Sequence, residues 1–433
     1  MLDQILSQVT FVDAFNIGVF LAFTICYVYQ FFYIFTVLTR KPPKQEAKRN
    51  HRYAVMISAR NEIAVIGDLI HSIRMQNYPQ ELIDIFVIAD NCTDDTASVA
   101  RSAGATDVFE RFNKDYIGKG YALDFGYKRI QQRYADRGYE AYFVFDADNV
   151  LDVNYFREMN KVYDGGAVAS TSYRNSKNYG SNWISAGYAV WFLREAKYLS
   201  QARLTLNTSC AISGTGFFIA AEVLEKHGGW KWHLLTEDIE FSAQTIIDGK
   251  RISYCPTAML YDEQPITFKD SWNQRFRWAK GSTRCSPIIP GDFLKAYSPI
   301  KGTAACYDML MTIAPAMLLT IITIGFNGTI AVLALLGYMS AGSMIVSSLS
   351  SMFFCLFNYC LFMFILGALT TFTEWNNIHS TTGKKIKYLF TFPFFMLTYI
   401  PIALVALFKK AKWKPISHTI SVDVEEMSKA SQK

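Results

Sequence analysis

Two long stretches almost free of charge bracket a charged middle, and that partition governs what the chain can become. Residues 15–38 contain no Asp, Glu, Lys or Arg, and residues 306–375 are nearly as bare. A helix of about 20 apolar residues crosses a bilayer. The first stretch is long enough for one crossing, and the second for two long helices or three shorter ones. A further apolar run, residues 388–408, carries Pro393 and Pro401, which membrane helices tolerate. Breaks are expected at Asn327-Gly328 and around the Ser/Gly-rich residues 340–343. Overall composition, 51% hydrophobic and 18% charged, averages over these blocks and a polar domain spanning roughly residues 41–300.

Met1-Leu2-Asp3-Gln4 lacks a basic n-region, and the run after it is too long for a signal core. A retained helix is therefore expected. Lys and Arg crowd its C-terminal side, from Arg40 to Arg52, which orients the domain towards the cytoplasm. Much of the net charge of +6 lies there and in Lys409-Lys410-Ala411-Lys412. Beside apolar runs, such charge fits anionic lipid and membrane orientation, not nucleic acid. Eight cysteines include no CxxC pair and no zinc spacing. A reduced, cytoplasm-facing domain suits them.

Within the domain, short β-rich runs alternate with helical stretches. Tyr53 to Ser58, Asp84 to Asp90, Asp107 to Glu110 and Ala141 to Phe145 read as strands, with helices over residues 63–75, 96–103 and 118–134. This describes a parallel α/β sheet. Such sheets bind ligands at the carboxyl ends of their strands. Ala59-Arg60-Asn61-Glu62, Asp90 and Asp146-Ala147-Asp148 all fall at such ends.

Four polar patches follow one another: Asp90, Asp146-Ala147-Asp148, Thr236-Glu237-Asp238 and Gln274-Arg275-Phe276-Arg277-Trp278. Each has a bland reading: a turn, a turn, a helix cap and an amphipathic interfacial helix. Together they can hold a divalent cation against a diphosphate, provide a base and offer an arginine and an aromatic face. Oxygen ligands suit Mg²⁺ or Mn²⁺. Ser213-Gly214-Thr215-Gly216 allows close approach to the backbone.

The set resembles the membrane-embedded family 2 inverting glycosyltransferases of GT-A fold, which include hyaluronan, cellulose, chitin-oligosaccharide and poly-N-acetylglucosamine synthases. Their shared pattern is D, D-x-D, T-E-D and Q-x-x-R-W. The resemblance implies an α/β GT-A domain, Rossmann-like with a mostly parallel sheet, plus an α-helical transmembrane bundle. It implies a nucleotide pocket of Ala59, Arg60, Glu62 and Asp90, with Lys119 and Asp146 near the UDP. Asp148 would ligate the metal. Asp238, beside Glu237, would be the base. Gln274, Arg277 and Trp278 would meet the diphosphate and the acceptor end, and Gly214, Thr215 and Gly216 the acceptor. Residues 413–419, with Trp413 and Thr419, form a candidate gating segment. It departs from the Trp-Gly-Thr-Arg form of hyaluronan synthases, as Asp90-Asn91-Cys92 departs from the common Asp-Asp-Gly form.

The expected organisation is a membrane helix over 1–40, the GT-A domain over 41–268, interfacial helices over 269–302, channel-forming membrane helices over 303–408 and a basic tail over 409–433. The expected activity is processive polymerisation of a sugar from UDP-glucose or UDP-N-acetylglucosamine into a β-linked polysaccharide, secreted through the chain's own helices at the plasma membrane. The growing polysaccharide and membrane lipid are its partners, and homo-oligomers or an accessory subunit stay open. The alternative is transfer of one sugar to a membrane lipid, as in ceramide glucosyltransferases. A non-catalytic membrane scaffold is a third class, against which the intact motif set argues.

Overall fold

The computed structural model describes residues 11–281, 303–313, 315–336, 341–409, 418–420 and 422. One eight-stranded sheet organises the domain, in the order β3-β2-β1-β4-β7-β6-β8-β5. Its first four strands are β1 (Tyr53–Ala59), β2 (Ile83–Asp90), β3 (Asp107–Arg111) and β4 (Ala141–Asp146). Every residue of β2 is buried, as are all but one each of β1 and β4. Strands covered on both faces read as continuous apolar runs, which is what these segments show. The covering helices supply the matching stripe. Ile66–Arg74 buries Ile66, Leu69, Ile70 and Ile73, the spacing of one helical face.

These four strands are mutually parallel in register, with Ser58 opposite Asp146 and Asp90 opposite Arg111. Their polar ends therefore share one edge. Parallel order stops there. β7 (Phe217–Ala220) runs antiparallel to β4, pairing Val144 with Phe217. It begins beside that same edge, after Ser213 to Gly216, so it has to run away from it. β6 (Ala169–Ser176) and β8 (Ile252–Asp262) pair parallel to each other, and β5 (Val150–Leu151) closes the edge against β8. The sheet is thus mixed, with its parallel half on the N-terminal side.

Four described helices are long and apolar enough to cross a membrane: Phe11–Thr39, Leu318–Leu335, Ser348–Thr373 and Thr382–Phe408. The tract before Trp375 holds two long helices, preceded by the shorter Thr303–Ile313. The break expected at Asn327-Gly328 does not occur; the helix Pro315–Leu335 runs through it. Asn327 is buried and exchanges amide hydrogen bonds with Asn16 of the first helix (3.1 and 2.8 Å). Its Nδ2 also donates to Thr323 O one turn back (3.0 Å), so the side chain is satisfied with the helix intact. Of the second expected break, residues 337–340 lie outside the described residues, and the helix Ala341–Thr373 starts directly after them.

The fourth apolar helix starts earlier than residue 388 and lies along the domain. Lys384 Nζ donates to Gly180 O (2.8 Å) at one end, and Lys280 Nζ to Ala406 O (2.8 Å) at the other. Between them Phe395 packs on Gly187, where a Cβ would overlap the ring. Arg275 Nη1 reaches Phe395 O (3.1 Å) and Thr398 Oγ1 (2.8 Å) where this segment bends.

Candidate active site

A cavity of about 1590 Å³ opens where the strand ends meet the helix 268–281 and the membrane helices. Ala59, Arg60, Glu62, Asp90, Lys119, Asp146, Asp148, Gly214, Glu237, Asp238, Gln274, Arg277 and Trp278 all line it. Residues far apart in sequence and singled out there thus meet around one space. Thr215 and Gly216 lie behind the lining. Asp146 N donates to Thr215 Oγ1 (2.9 Å), whose hydroxyl donates to Asn149 Oδ1. Gly216 has φ +66°, and a Cβ there would strike Leu260, so glycine is required for both backbone and space.

At the strand ends each acid has a partner. Asp90 is buried and paired with Arg111, and its Oδ1 also accepts from Asn91 Nδ2 (3.0 Å). Burial raises its carboxyl above the ordinary range, although Arg111 and Arg60 pull the other way. Lys119 Nζ pairs with Asp146 and donates to Gly214 O (2.8 Å). Burial works against that ammonium, yet Asp146, Glu237 and Asp238 hold its pKa above the ordinary lysine value. Asp148 is buried, and its Oδ2 accepts from Glu263 N (3.2 Å).

Glu237 and Asp238 open the helix Glu237–Ile247, where unpaired backbone N–H groups favour acids. Thr236 sits at the N-cap position but makes no capping hydrogen bond. Instead Leu234 N donates to Glu240 Oε2 (3.0 Å). Asp238 Oδ1 accepts from Ile239 N (2.9 Å). Burial raises Asp238 above the ordinary aspartate value. Burial and the charge of Asp238 push Glu237 up to about 8. A carboxyl tuned upward in a cleft is the usual state of a catalytic acid or base.

The helix 268–281 divides its faces as its spacing predicts. Trp272, Phe276 and Ala279 pack on Ile402 and Ala406. Gln274, Arg277 and Trp278 face the cavity. Gln274 Oε1 and Arg277 Nε are buried without a hydrogen-bond partner among the described residues. A buried guanidinium nitrogen left open beside a cavity is a place for an anionic ligand. Trp278 is held edge-on by Tyr188 and Phe192 at 5.8 and 6.1 Å.

Several residues of this site went unnoticed in the sequence. Arg111 ends β3 and meets Asp90. Asp262 and Glu263 close β8, and Arg174 Nε donates to Asp262 Oδ2 (2.6 Å). The strand-end rule that found Asp90 and Asp146 applies equally to Arg111 and Asp262. Trp413 lies outside the described residues, but the end of its segment enters the site. Thr419 N and Ile420 N donate to the Glu263 carboxylate (3.2 and 3.0 Å). His418 Nδ1 meets Glu62 (3.0 Å), and its Nε2 lies 3.8 Å from Asp148 Oδ2. Burial pulls the imidazole down, but Asp148, Glu62 and Glu263 bring it up to about 10.

His418 thus stands among three carboxylates, a setting equally suited to a cation. No three His, Cys, Asp or Glu side chains among the described residues form a ready-made metal cage. Mg²⁺ asks for less, since one or two carboxylates with substrate phosphates and water complete its shell. Asp148 offers one such carboxylate at the cavity wall, and the orphaned Arg277 Nε marks where phosphates would lie.

A family model described as "Glycosyltransferase like family 2" matches residues 51–281, just over half of the chain. The chain belongs to that family. It is 24% identical over 242 residues to a beta-monoglucosyldiacylglycerol synthase of Synechocystis sp., covering 52% of this chain and 47% of the relative. It is 25% identical over 278 residues to a poly-beta-1,6-N-acetyl-D-glucosamine synthase of Staphylococcus epidermidis, covering 62% of each. The chain thus spans about half to three-fifths of the length of these relatives. In fold it is similar to the mannosyltransferase PcManGT of Pyrobaculum calidifontis, solved with GDP-Man and Mn²⁺. That match has a TM-score of 0.53 at 16% identity and covers 92% of this chain and 99% of that one. The family 2 chain described here therefore pairs a GT-A-like domain with apolar helices.

Proposed function

We propose that this chain is an inverting, cation-dependent hexosyltransferase that moves a sugar from a UDP-sugar, UDP-glucose or UDP-N-acetylglucosamine, to a hydroxyl presented at the membrane. The observation that carries the proposal is the placing of Asp238. Its half-buried, upward-shifted carboxyl shares one cavity with the strand-end acids and with the open Arg277 guanidinium.

Asp238 takes the proton of the acceptor hydroxyl as its oxygen attacks C1 from the face opposite the diphosphate. Arg277 and Lys119 meet the charge that gathers on the departing UDP. Ala59, Arg60, Glu62 and Asp90 cradle the nucleoside end. Gln274, Trp278 and Gly214 border the acceptor. Asp148 would hold Mg²⁺ or Mn²⁺, which would supply positive charge against the diphosphate. The segment at Thr419 closes over this side of the cavity through Glu263. The basic residues after the first helix support a domain on the cytoplasmic side of a plasma membrane.

This chemistry serves both acceptors weighed in the sequence, a growing polysaccharide secreted through the helices and a membrane lipid. The two relatives carry the names of one enzyme of each kind. Purified protein given each UDP-sugar with Mg²⁺ or Mn²⁺ should release UDP, and Asp238→Asn should not. Equal UDP release by the variant would remove Asp238 from the role of base.

A further inference from the structure

The cavity does not end at the membrane surface. Past Trp278 it continues between the first helix and the helix Ala341–Thr373, where Phe20, Phe23, Leu356, Phe362 and Met363 wall it. Several polar side chains of this half are already engaged by protein, while Arg194 Nε is buried on the wall without a partner among the described residues. Asn16 is bonded to Asn327, Tyr27 Oη to Met311 O (3.0 Å), and Gln30 Oε1 to Arg194 Nη2 (2.6 Å). A sugar chain here would lose the hydrogen bonds its hydroxyls make with water and find few replacements. Alkyl chains would gain from the same walls.

The enclosure favours the same occupant. Of the four long apolar helices described, Thr382–Phe408 is tied to the domain side at both ends. Three remain to cross the bilayer: Phe11–Thr39, Leu318–Leu335 and Ser348–Thr373. Phe20 and Phe353, both on the cavity wall, are 67% and 63% exposed. Among the described residues the space is a groove with exposed aromatic walls, not a closed pore.

We infer that the acceptor is a membrane lipid with a free hydroxyl headgroup, its alkyl chains in this groove and its hydroxyl at Asp238. The inference rests on the transferase reading above and names its substrate class. In the step, the lipid oxygen bonds to C1 of the sugar as the bond from C1 to the diphosphate oxygen breaks. The proton passes to Asp238, and the electron pair leaves with UDP.

The test uses the full chain in phosphatidylcholine vesicles, with and without dioleoylglycerol or ceramide, and UDP-sugar labelled in the sugar. The expected product is a single labelled sugar in the organic phase, formed only when a hydroxyl lipid is present. Leu356→Trp should raise KM for that lipid about tenfold while KM for the UDP-sugar stays put. Label found in a water-soluble polymer or as free sugar, with UDP still released, overturns the lipid acceptor and leaves the transferase intact. No UDP release from any donor sinks the transferase reading, and this inference with it. The product of the unaltered chain decides the matter even if Leu356→Trp fails to fold.

Discussion

Asp308→Ala tests what joins the catalytic domain to the membrane helices. Asp308 sits in the helix Thr303–Ile313 and accepts from Arg203 Nε and Nη2 at 2.6 and 2.8 Å. The hydroxyls of Tyr29 and Tyr33, in the first membrane helix, donate to it at 2.9 Å each. The Arg203 and Asp308 side chains are only 4% and 3% exposed. One carboxylate thus ties the domain, the first helix and the helix after the domain together. Removing it leaves a buried guanidinium without its counter-charge, a loss of about 3–5 kcal/mol. Two phenols lose their acceptor as well, which drives the loss towards the upper end. In a thermal melt in detergent micelles, followed by tryptophan fluorescence, the midpoint should fall by on the order of 10 °C. The double variant Arg203→Met with Asp308→Leu removes both charges and refills the space. It should be more stable than Asp308→Ala by about 2 kcal/mol or more. A loss under about 1 kcal/mol for Asp308→Ala, or a double variant no better than the single, would refute this account.

Asp238→Asn should lower kcat by about 10² to 10⁴ with KM for the UDP-sugar little changed; a fall in donor affinity alone would assign Asp238 to binding. Asp148→Ala should abolish the stimulation of UDP release by Mg²⁺ or Mn²⁺, and a variant that still responds to the cation would place the metal elsewhere. Glu237 keeps its proton up to about pH 8 in the folded chain, against an ordinary value of 4.5. Between those values the unfolded state holds fewer protons, so stability falls as pH rises. Glu237→Gln cannot ionise, and its melting temperature should gain on that of the parent from about pH 5 to about pH 9. A pH-independent difference would show that Glu237 ionises as an ordinary carboxyl.

The strands that position the site were legible because they are buried on both faces, so Val, Ile and Phe run together until the polar ends. Asp90, Asp146 and Asp148 stood out for the same reason. The direction of β7 was not legible. Phe217-Phe218-Ile219-Ala220 reads the same in either orientation, and only its pairing with β4 fixes which way it runs. Arg111 stands at a strand end with no motif around it, and Glu263 follows the end of β8. Asn327 looked like a break because a lone Asn-Gly favours turns. Its partner Asn16 lies in another helix, and no local pattern contains that pairing.

Hydropathy could not distinguish the fourth apolar helix from a span, because burial against protein and burial in lipid select the same residues. We propose from its packing that it lies in the membrane interface. In the apolar window of Thr382–Phe408, 39% of residues are buried by protein, against 6 to 17% for the other three. Phe390, Phe394 and Phe408 stay largely exposed, and Phe390 also meets Phe364 of the helix Ala341–Thr373 at 5.2 Å between ring centroids. That placement also removes a conflict in the charge pattern. If this segment spanned, either Lys384-Lys385 or the basic run from Lys409 would lie on the far side of the membrane. With both ends on the domain side, both basic clusters share its face, as the distribution of positive charge in membrane proteins favours. Labelling cysteines placed at Gly383 and Lys409 should therefore mark both from the domain's side, and labelling from opposite sides would restore the crossing.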